Sequence, residues 1–339
     1  MKEKKGIVLT GDRPTGPLHL GHYVGSLCSR VSLQEAGHVQ YVMIADTQAL
    51  TDHASHPKEI REHVMQVALD YLSVGIDPGH TTIFIQSLIP PLSELTMHYL
   101  NLVTWNRLKH NPTVKQEIMQ KSFGEGVPAG FMIYPVAQAS DITAFKATLI
   151  PVGKDQKPMI EQTNEIVRAF NRTYSTDVLC EVEAMIPKIS RLPGTDGQEK
   201  MGKSLYNAIY LCDDPDTVTQ KVFKMCSDPN HQRIEDPGCV ESSPVFCYLD
   251  AFGEDLDKIA ELKAHYRRGG LGDRVVKEYL SEVIHEFLEP IRQRRQQYEN
   301  DLYSLNLMLM EGSQVALQAA TETLDEVRRA MHLPKTLSL

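Results

Sequence analysis

The sequence predicts an α/β fold of the Rossmann type, a doubly wound parallel sheet followed by a C-terminal helical domain, on three observations. Short β-branched runs alternate with amphipathic segments over residues 7–86. A turn rich in glycine and histidine, Thr15-Gly16-Pro17-Leu18-His19-Leu20-Gly21-His22, separates the first such run from the first amphipathic segment. After about Leu205 the strand-like runs give way to helical periodicity.

Ile7-Val8-Leu9-Thr10, Tyr41-Val42-Met43-Ile44-Ala45 and Thr82-Ile83-Phe84-Ile85 read as buried strands. The turn at 15–22 then runs from a strand into a helix carrying Tyr23, Leu27 and Val31. Such a turn aims unpaired N–H groups and the positive end of a helix dipole at a ligand above the sheet. Pro57 opens a helix with Ile60, Val64, Val67, Ala68, Tyr71 and Leu72 on one face, closed by Gly75 and Pro78. Connections of this length make the strands parallel and put ligands beyond their carboxyl ends, beside His19, His22 and the segment Asp46-Thr47-Gln48.

Residues 91–121 are helical and hold the only tryptophan, Trp105, before a loop broken by glycine and proline at 123–130. Tyr134 and Asp141 lie seven residues apart, two helical turns, and so share a face if their segment is helical. Ile150-Pro151-Val152 is a further strand, and Met159, Ile160, Thr163, Ile166, Val167 and Phe170 form the core stripe of a helix ending near Arg172. Residues 187–199, rich in breaks, lead into Lys200-Met201-Gly202-Lys203-Ser204, read as a mobile loop that closes over its ligand. Asp214-Pro215-Asp216 starts a helix, and helical patterns follow at Val275, Tyr279, Glu282, Val283 and Glu286, and at Val315, Leu324, Val327 and Met331. The expected organisation is a catalytic domain over 1–195, the loop at 196–205, a helical domain over 206–305, and a last helix over 306–339 packing back on the first domain.

The chain of 339 residues is 42% apolar and 23% charged, the composition of a globular protein, with no run near the roughly 20 apolar residues of a membrane span. The start lacks the apolar core of a signal peptide, so a cytoplasmic location is expected. The six cysteines are scattered without a C-x-x-C pair, which argues against a disulfide framework or a zinc site. A net charge of −9 argues against broad affinity for nucleic acid, yet Arg267, Arg268, Arg274, Lys277, Arg292, Arg294 and Arg295 gather in the helical half, where they suggest a contact with one RNA. Charges on a solvated helix face are the plain alternative.

The two histidines and two lysines suit phosphate chemistry, with donors from opposite sides of a phosphoryl group. His19-Leu20-Gly21-His22 and Lys200-Met201-Gly202-Lys203-Ser204 resemble the HIGH and KMSKS signatures of class I aminoacyl-tRNA synthetases. Gly11-Asp12-Arg13-Pro14-Thr15-Gly16, residues 134–142 and Ile150-Pro151-Val152-Gly153-Lys154-Asp155-Gln156-Lys157 narrow the resemblance to the tryptophanyl-tRNA synthetases, with the tyrosyl enzymes similar.

The resemblance implies that ATP and L-tryptophan form an adenylate and that tryptophan then passes to tRNA(Trp), in a homodimer. It makes His19, His22, Lys200 and Lys203 catalytic, and brings Arg13, Thr15, Gly21, Lys115, Gly153, Asp155, Met201 and Ser204 to ATP. Leu9, Gln48, Tyr134, Gln138, Asp141 and Gln156 would hold tryptophan, Asp141 reading the indole N–H and Tyr134 and Gln156 the ammonium group. Magnesium would ride on the ATP phosphates with no protein ligand, and the closely grouped cysteines of iron–sulfur members are missing. Gly202 departs from the usual serine, Tyr206 from a glycine and Arg13 from a glutamine. Beside a tyrosyl enzyme, a nucleotidylyltransferase and a paralogue that binds without charging tRNA stay open.

Overall fold

The computed structural model describes residues 5–121, 123, 126–153, 156–186, 192–198, 201–202 and 205–334. Its centre is a parallel five-stranded sheet of order β3-β2-β1-β4-β5, with β1 Ile7–Asp12, β2 Val39–Ile44, β3 Thr81–Ile85, β4 Leu149–Pro151 and β5 Glu183–Met185. Leu9 lies opposite Tyr41, Val42 opposite Ile83, Val8 opposite Leu149 and Ile150 opposite Ala184. Val8, Leu9 and Thr10 are all buried, which is why β1 reads as an unbroken apolar run rather than an alternating one. The strand order reverses at β1, so the crevice beyond the carboxyl ends of β1 and β4 is the switch point where such sheets take ligands. The short β5 was not expected, because a three-residue Glu-Ala-Met strand has no β-branched run to announce it.

Helix α1 (Leu20–His22) passes through a π-helical turn at Tyr23–Leu27 into α2 (Cys28–Glu35). Around the sheet follow α3 (Asp46–His53), α4 (Pro57–Ser73), α5 (Pro91–Leu100), α6 (Trp105–Lys109), α7 (Pro112–Gln120), α8 (Ala129–Ala144) and α9 (Lys157–Thr173). The second half holds α10 (Pro215–Phe223), α11 (Pro244–Phe252), α12 (Leu256–Arg268), α13 (Asp273–Glu299) and α14 (Leu302–Ala330). The stripes expected on α4 and α9 are buried at every named position.

One apolar cluster joins Leu20, Val42 and Val67 to Val218, Phe246, Leu280 and Leu288, so the helical half shares a core with the sheet. A second, on the other face, joins Leu9, Phe84 and Ala139 to Ala316, Ala320 and Leu324 of α14. The expected stripes of these last helices hold at Val283, Leu324 and Val327 and are shifted elsewhere. In α13 the buried face is Val276, Leu280, Ile284 and Leu288, while Val275 is exposed, and in α14 Val315 is exposed while Ser313, Ala316 and Ala320 are buried. A long helix packed on several neighbours buries a broad face, and α14 turns its small residues inward because it lies against backbone.

That backbone is the sheet edge. Ser313 Oγ accepts from the Ile85 N–H at 3.1 Å, and a Cβ built on Gly312 would stand 2.0 Å from the carbonyl oxygen of Ile83. Covering an edge strand with a helix hides its unpaired groups. Gly312→Ala is therefore expected to push α14 off β3 and lower stability by about 1–3 kcal/mol, read from urea unfolding.

Candidate active site

A cavity of about 350 Å³ opens at the switch point, walled by Leu9 to Arg13 from the second half of β1 and just beyond it, Met43 and Ala45 at the end of β2, and Ile150 to Gly153 from β4 and just beyond it. From α8 come Tyr134, Gln138 and Asp141, and Gln48 and Gln156 complete the polar lining. The seven-residue spacing of Tyr134 and Asp141 thus does place both on the cavity side of one helix.

Asp141 is 2% exposed, and both its oxygens accept from Gln86 Nε2, at 2.9 and 3.0 Å. Gln86 Oε1 in turn accepts the N–H of Gln48 at 3.0 Å, which fixes which end of the amide faces the carboxylate. Burial pushes the Asp141 carboxyl up to about 7, with the Gln86 hydrogen bonds working against it. A buried carboxylate with acceptor capacity to spare favours a ligand that brings an N–H or O–H donor. Tyr134 donates its phenol to Glu117 Oε2 at 3.0 Å, and burial together with Glu117 keeps that phenol neutral at any ordinary pH.

The histidine turn runs beside this cavity. Gly25 and Ser26 from the π turn and α2 entry line the cavity, whereas His19 is buried next to His22, with ring centroids 3.8 Å apart, and neither ring is part of the wall. The turn does not offer the row of unpaired N–H groups its sequence suggests. Leu18 N–H donates to Asp70, Leu20 N–H to the Ile209 carbonyl, His19 N–H to His22 Nδ1, and His22 and Tyr23 N–H to the His19 carbonyl. The reason is the chain just past the lysine signature, which pairs with the turn through a His19–Tyr210 bridge and a Leu211 N–H to Leu18 carbonyl bond. Because His22 Nδ1 accepts, the ring proton is carried on Nε2. A Cβ on Gly21 would stand 2.9 Å from His19 Nδ1 and 3.3 Å from the sulfur of the buried Met201, so glycine keeps room for both.

Two carboxylates brace the segment entering the turn. Asp52 binds Arg13 at 3.1 Å, His53 at 2.8 Å and Lys121, and although burial opposes ionisation these cations hold its carboxyl down at about 2. Asp12 pairs with Arg30 at 2.8 Å and accepts from Tyr71 at 2.9 Å; burial again opposes, and Arg30, His22 and Tyr71 prevail, leaving it at about 2. A carboxyl so depressed contributes stability that is present above its unfolded value of 3.8 and is lost as pH falls toward 2. Tyr71→Phe removes the phenol from Asp12 and from the Met43 carbonyl it also meets, and is expected to cost about 1–3 kcal/mol and to move acid unfolding to higher pH. Unfolding followed against pH by circular dichroism checks both.

Comparison with known proteins agrees with this geometry. A family model described as tRNA synthetases class I (W and Y) matches residues 1–289. The chain belongs to this family. It is 58% identical over 330 residues to a tryptophan–tRNA ligase of Clostridium longisporum, covering 96% of this chain and 97% of the relative. It is 59% identical over 333 residues to that of a Streptococcus pyogenes serotype M3 strain, covering 96% and 98%. Among solved structures, a tryptophanyl-tRNA synthetase from Campylobacter jejuni complexed with ADP and tryptophan is 27% identical with a TM-score of 0.83, covering 96% of this chain and all of that one. A tyrosyl-tRNA synthetase from Archaeoglobus fulgidus, 23% identical with a TM-score of 0.64 over 86% of this chain and 90% of its own, shares the fold.

Within this class I synthetase, Leu9, Arg13, Gln48, Tyr134, Gln138, Asp141, Gly153 and Gln156 come together around the cavity. Gly21 and Met201 meet at the turn, and Thr15, whose N–H bonds the Arg13 carbonyl, sits before it. Lys115 projects from the exposed side of α7 and is not in the wall. Asp155, Lys200, Lys203 and Ser204 lie outside the described residues. The Gly202 N–H bonds Asn207 Oδ1 at 2.9 Å, a contact any residue can make, and Tyr206 keeps a positive φ of 54° with its side chain in solvent, a conformation glycine adopts more readily.

Asp12, Arg30, Gln86 and Glu117 were not anticipated at the site. Asp12 ends β1 and Gln86 directly follows β3, so the rule that ligands sit at strand carboxyl ends points to both. The basic cluster, in contrast, does not form one face. Lys277 is buried on the carbonyls of Phe223 and Met225, Arg295 is buried on Asp70, Arg294 donates to the Ser73 carbonyl, and Arg267, Arg274 and Arg292 pair with Glu241, Glu278 and Glu289. A count of cations along the sequence does not show which already have partners.

Proposed function

We propose that this chain activates L-tryptophan with ATP and esterifies tRNA(Trp). The observation that carries the specificity is Asp141, a carboxylate buried in the cavity wall and oriented by Gln86, where an indole N–H would replace the water hydrogen bonds it lacks. Tryptophan's ring would lie against Leu9, Met43 and Ile142, with Tyr134, Gln138 and Gln156 toward its ammonium group. In the first step a carboxylate oxygen of tryptophan attacks the α-phosphorus of ATP, the bond to the bridging oxygen breaks, and pyrophosphate leaves with that electron pair. In the second, a ribose hydroxyl of the tRNA 3′ end attacks the acyl carbon and AMP departs. No side chain becomes covalently attached; rate comes from alignment and from charge stabilisation at phosphorus.

His22 Nε2–H, His19, Lys200 and Lys203 supply that stabilisation, with Arg13, Thr15, Gly21, Gly153, Asp155, Met201 and Ser204 along the nucleotide. Lys115, exposed on α7, is a further cation proposed for the ATP phosphates. Magnesium would be carried by the ATP phosphates. The helical domain at 206–305 is the proposed tRNA contact, with Arg268 and Arg274 as its outward cations, and a homodimer the working assembly. No helix among the described residues is long and apolar enough to cross a membrane, which suits a cytoplasmic ligase. Amino-acid-dependent ATP–pyrophosphate exchange with each of the twenty amino acids tests the reading: exchange with tryptophan alone supports it, exchange with tyrosine keeps the chemistry and overturns the specificity, and none overturns the activity.

A further inference from the structure

The N–H of Leu18, the residue before His19, donates to Asp70 Oδ2 at 2.7 Å, and Asp70 Oδ1 accepts from Arg295 Nη1 at 2.6 Å. Asp70 has no exposed surface and Arg295 is 6% exposed, so the chain Leu18–Asp70–Arg295 runs wholly inside the protein. Arg295 belongs to α13 in the helical half, and it is tied further to Gln66 Oε1 at 2.5 Å and Glu299 Oε1 at 2.7 Å. Gln66 and Asp70 stand one turn apart on α4, so the guanidinium grips that helix at two points. The next residue, Tyr71, holds Asp12. Two successive residues of α4 thus anchor both ends of the loop 13–17 that delivers Arg13 and Thr15.

Asp70 is fully buried on a helix whose Val67, Leu69 and Leu72 belong to the first apolar cluster, and an apolar residue in its place would avoid the cost of burying a charge. What the carboxylate adds is direction. It accepts one backbone N–H of the turn on one oxygen while Arg295 holds the other, so the acceptor is aimed from the helical half. We propose that Asp70 and Arg295 are positioning residues for the catalytic turn, linking the helical half of the chain to the placement of His19 and His22. This rests on the reading that the turn contacts ATP. Neither residue lines the cavity, so tryptophan binding should not depend on them.

The test replaces the pair by apolar residues of similar size, Asp70→Leu with Arg295→Met, in the full chain. Thermal melting establishes that the double variant is folded, and pyrophosphate exchange is then measured against tryptophan and ATP. The expected result is a kcat lower by about tenfold to a hundredfold with the KM for tryptophan unchanged, since small misplacements of aligned groups act on the reaction rather than on remote binding. Asp70→Asn, which keeps an acceptor for the Leu18 N–H, should retain more of kcat than Asp70→Leu alone, and that ranking carries the test by itself if the double variant does not fold. A folded double variant with wild-type kcat, or equal losses in the Asn and Leu variants, overturns the proposal. Absence of exchange in the wild type is a separate outcome that overturns the activation reading and this inference with it.

Discussion

Asp141→Ala is expected to lower kcat/KM for tryptophan by about a thousandfold or more while leaving the KM for ATP nearly unchanged. The substitution removes the acceptor for the ring N–H and leaves Gln86 Nε2 buried without its carboxylate, so the cavity loses a contact and gains an unpaired donor. Exchange kinetics at saturating ATP measure the loss. The raised carboxyl adds a pH signature. Because its value is about 7 rather than 3.8, the native chain still holds a proton that the unfolded chain has released between those values, and stability falls as pH rises through that window. The gap corresponds to up to about 4 kcal/mol above pH 7, which Asp141→Asn would remove, so the variant should gain on the wild type between about pH 4 and pH 7 in urea unfolding. Function runs the other way: the ionised group is the stronger acceptor for the indole N–H, and the KM for tryptophan should rise as pH falls below 7.

Lys203→Ala is expected to cut kcat by about 10²–10³ with the KM for tryptophan unchanged, read in the same exchange reaction. Lys200 and Lys203 lie outside the described residues, but they flank Met201, which is buried beside Gly21 of the histidine turn. In the proposed reaction a lysine of this signature would stabilise charge that grows on the phosphates only as pyrophosphate leaves, and would therefore act on the reacting state more than on bound substrate. A rise in KM for ATP with kcat intact would instead make Lys203 a ground-state contact.

Much of this site is legible in sequence because parallel strands declare themselves by unbroken β-branched runs, and the residues after such strands face the ligand crevice. Gln48 and Gly153 follow that logic, Leu9 within β1 and Gln156 come instead from the family resemblance, and the Tyr134–Asp141 spacing needs only that α8 be a helix. What was not legible depends on partners distant along the chain. Gln86 meets Asp141 across 55 residues and Arg295 meets Asp70 across 225, and no local pattern encodes either contact. The cations of the helical half looked like a surface patch for the same reason. The expected exposed N–H row at the turn disappears because residues 209–211, remote in sequence, pair with it.

The most direct test of Asp141 as the indole reader is the ratio of kcat/KM for tryptophan to that for the analogue with sulfur in place of the ring N–H, in wild type and Asp141→Ala. The wild type should prefer tryptophan by about a thousandfold or more and the variant should show almost no preference, because a site built around a hydrogen bond rejects a ligand that cannot make it. Equal use of the two substrates by the wild type, or a preference that survives in Asp141→Ala, would contradict this reading of the cavity.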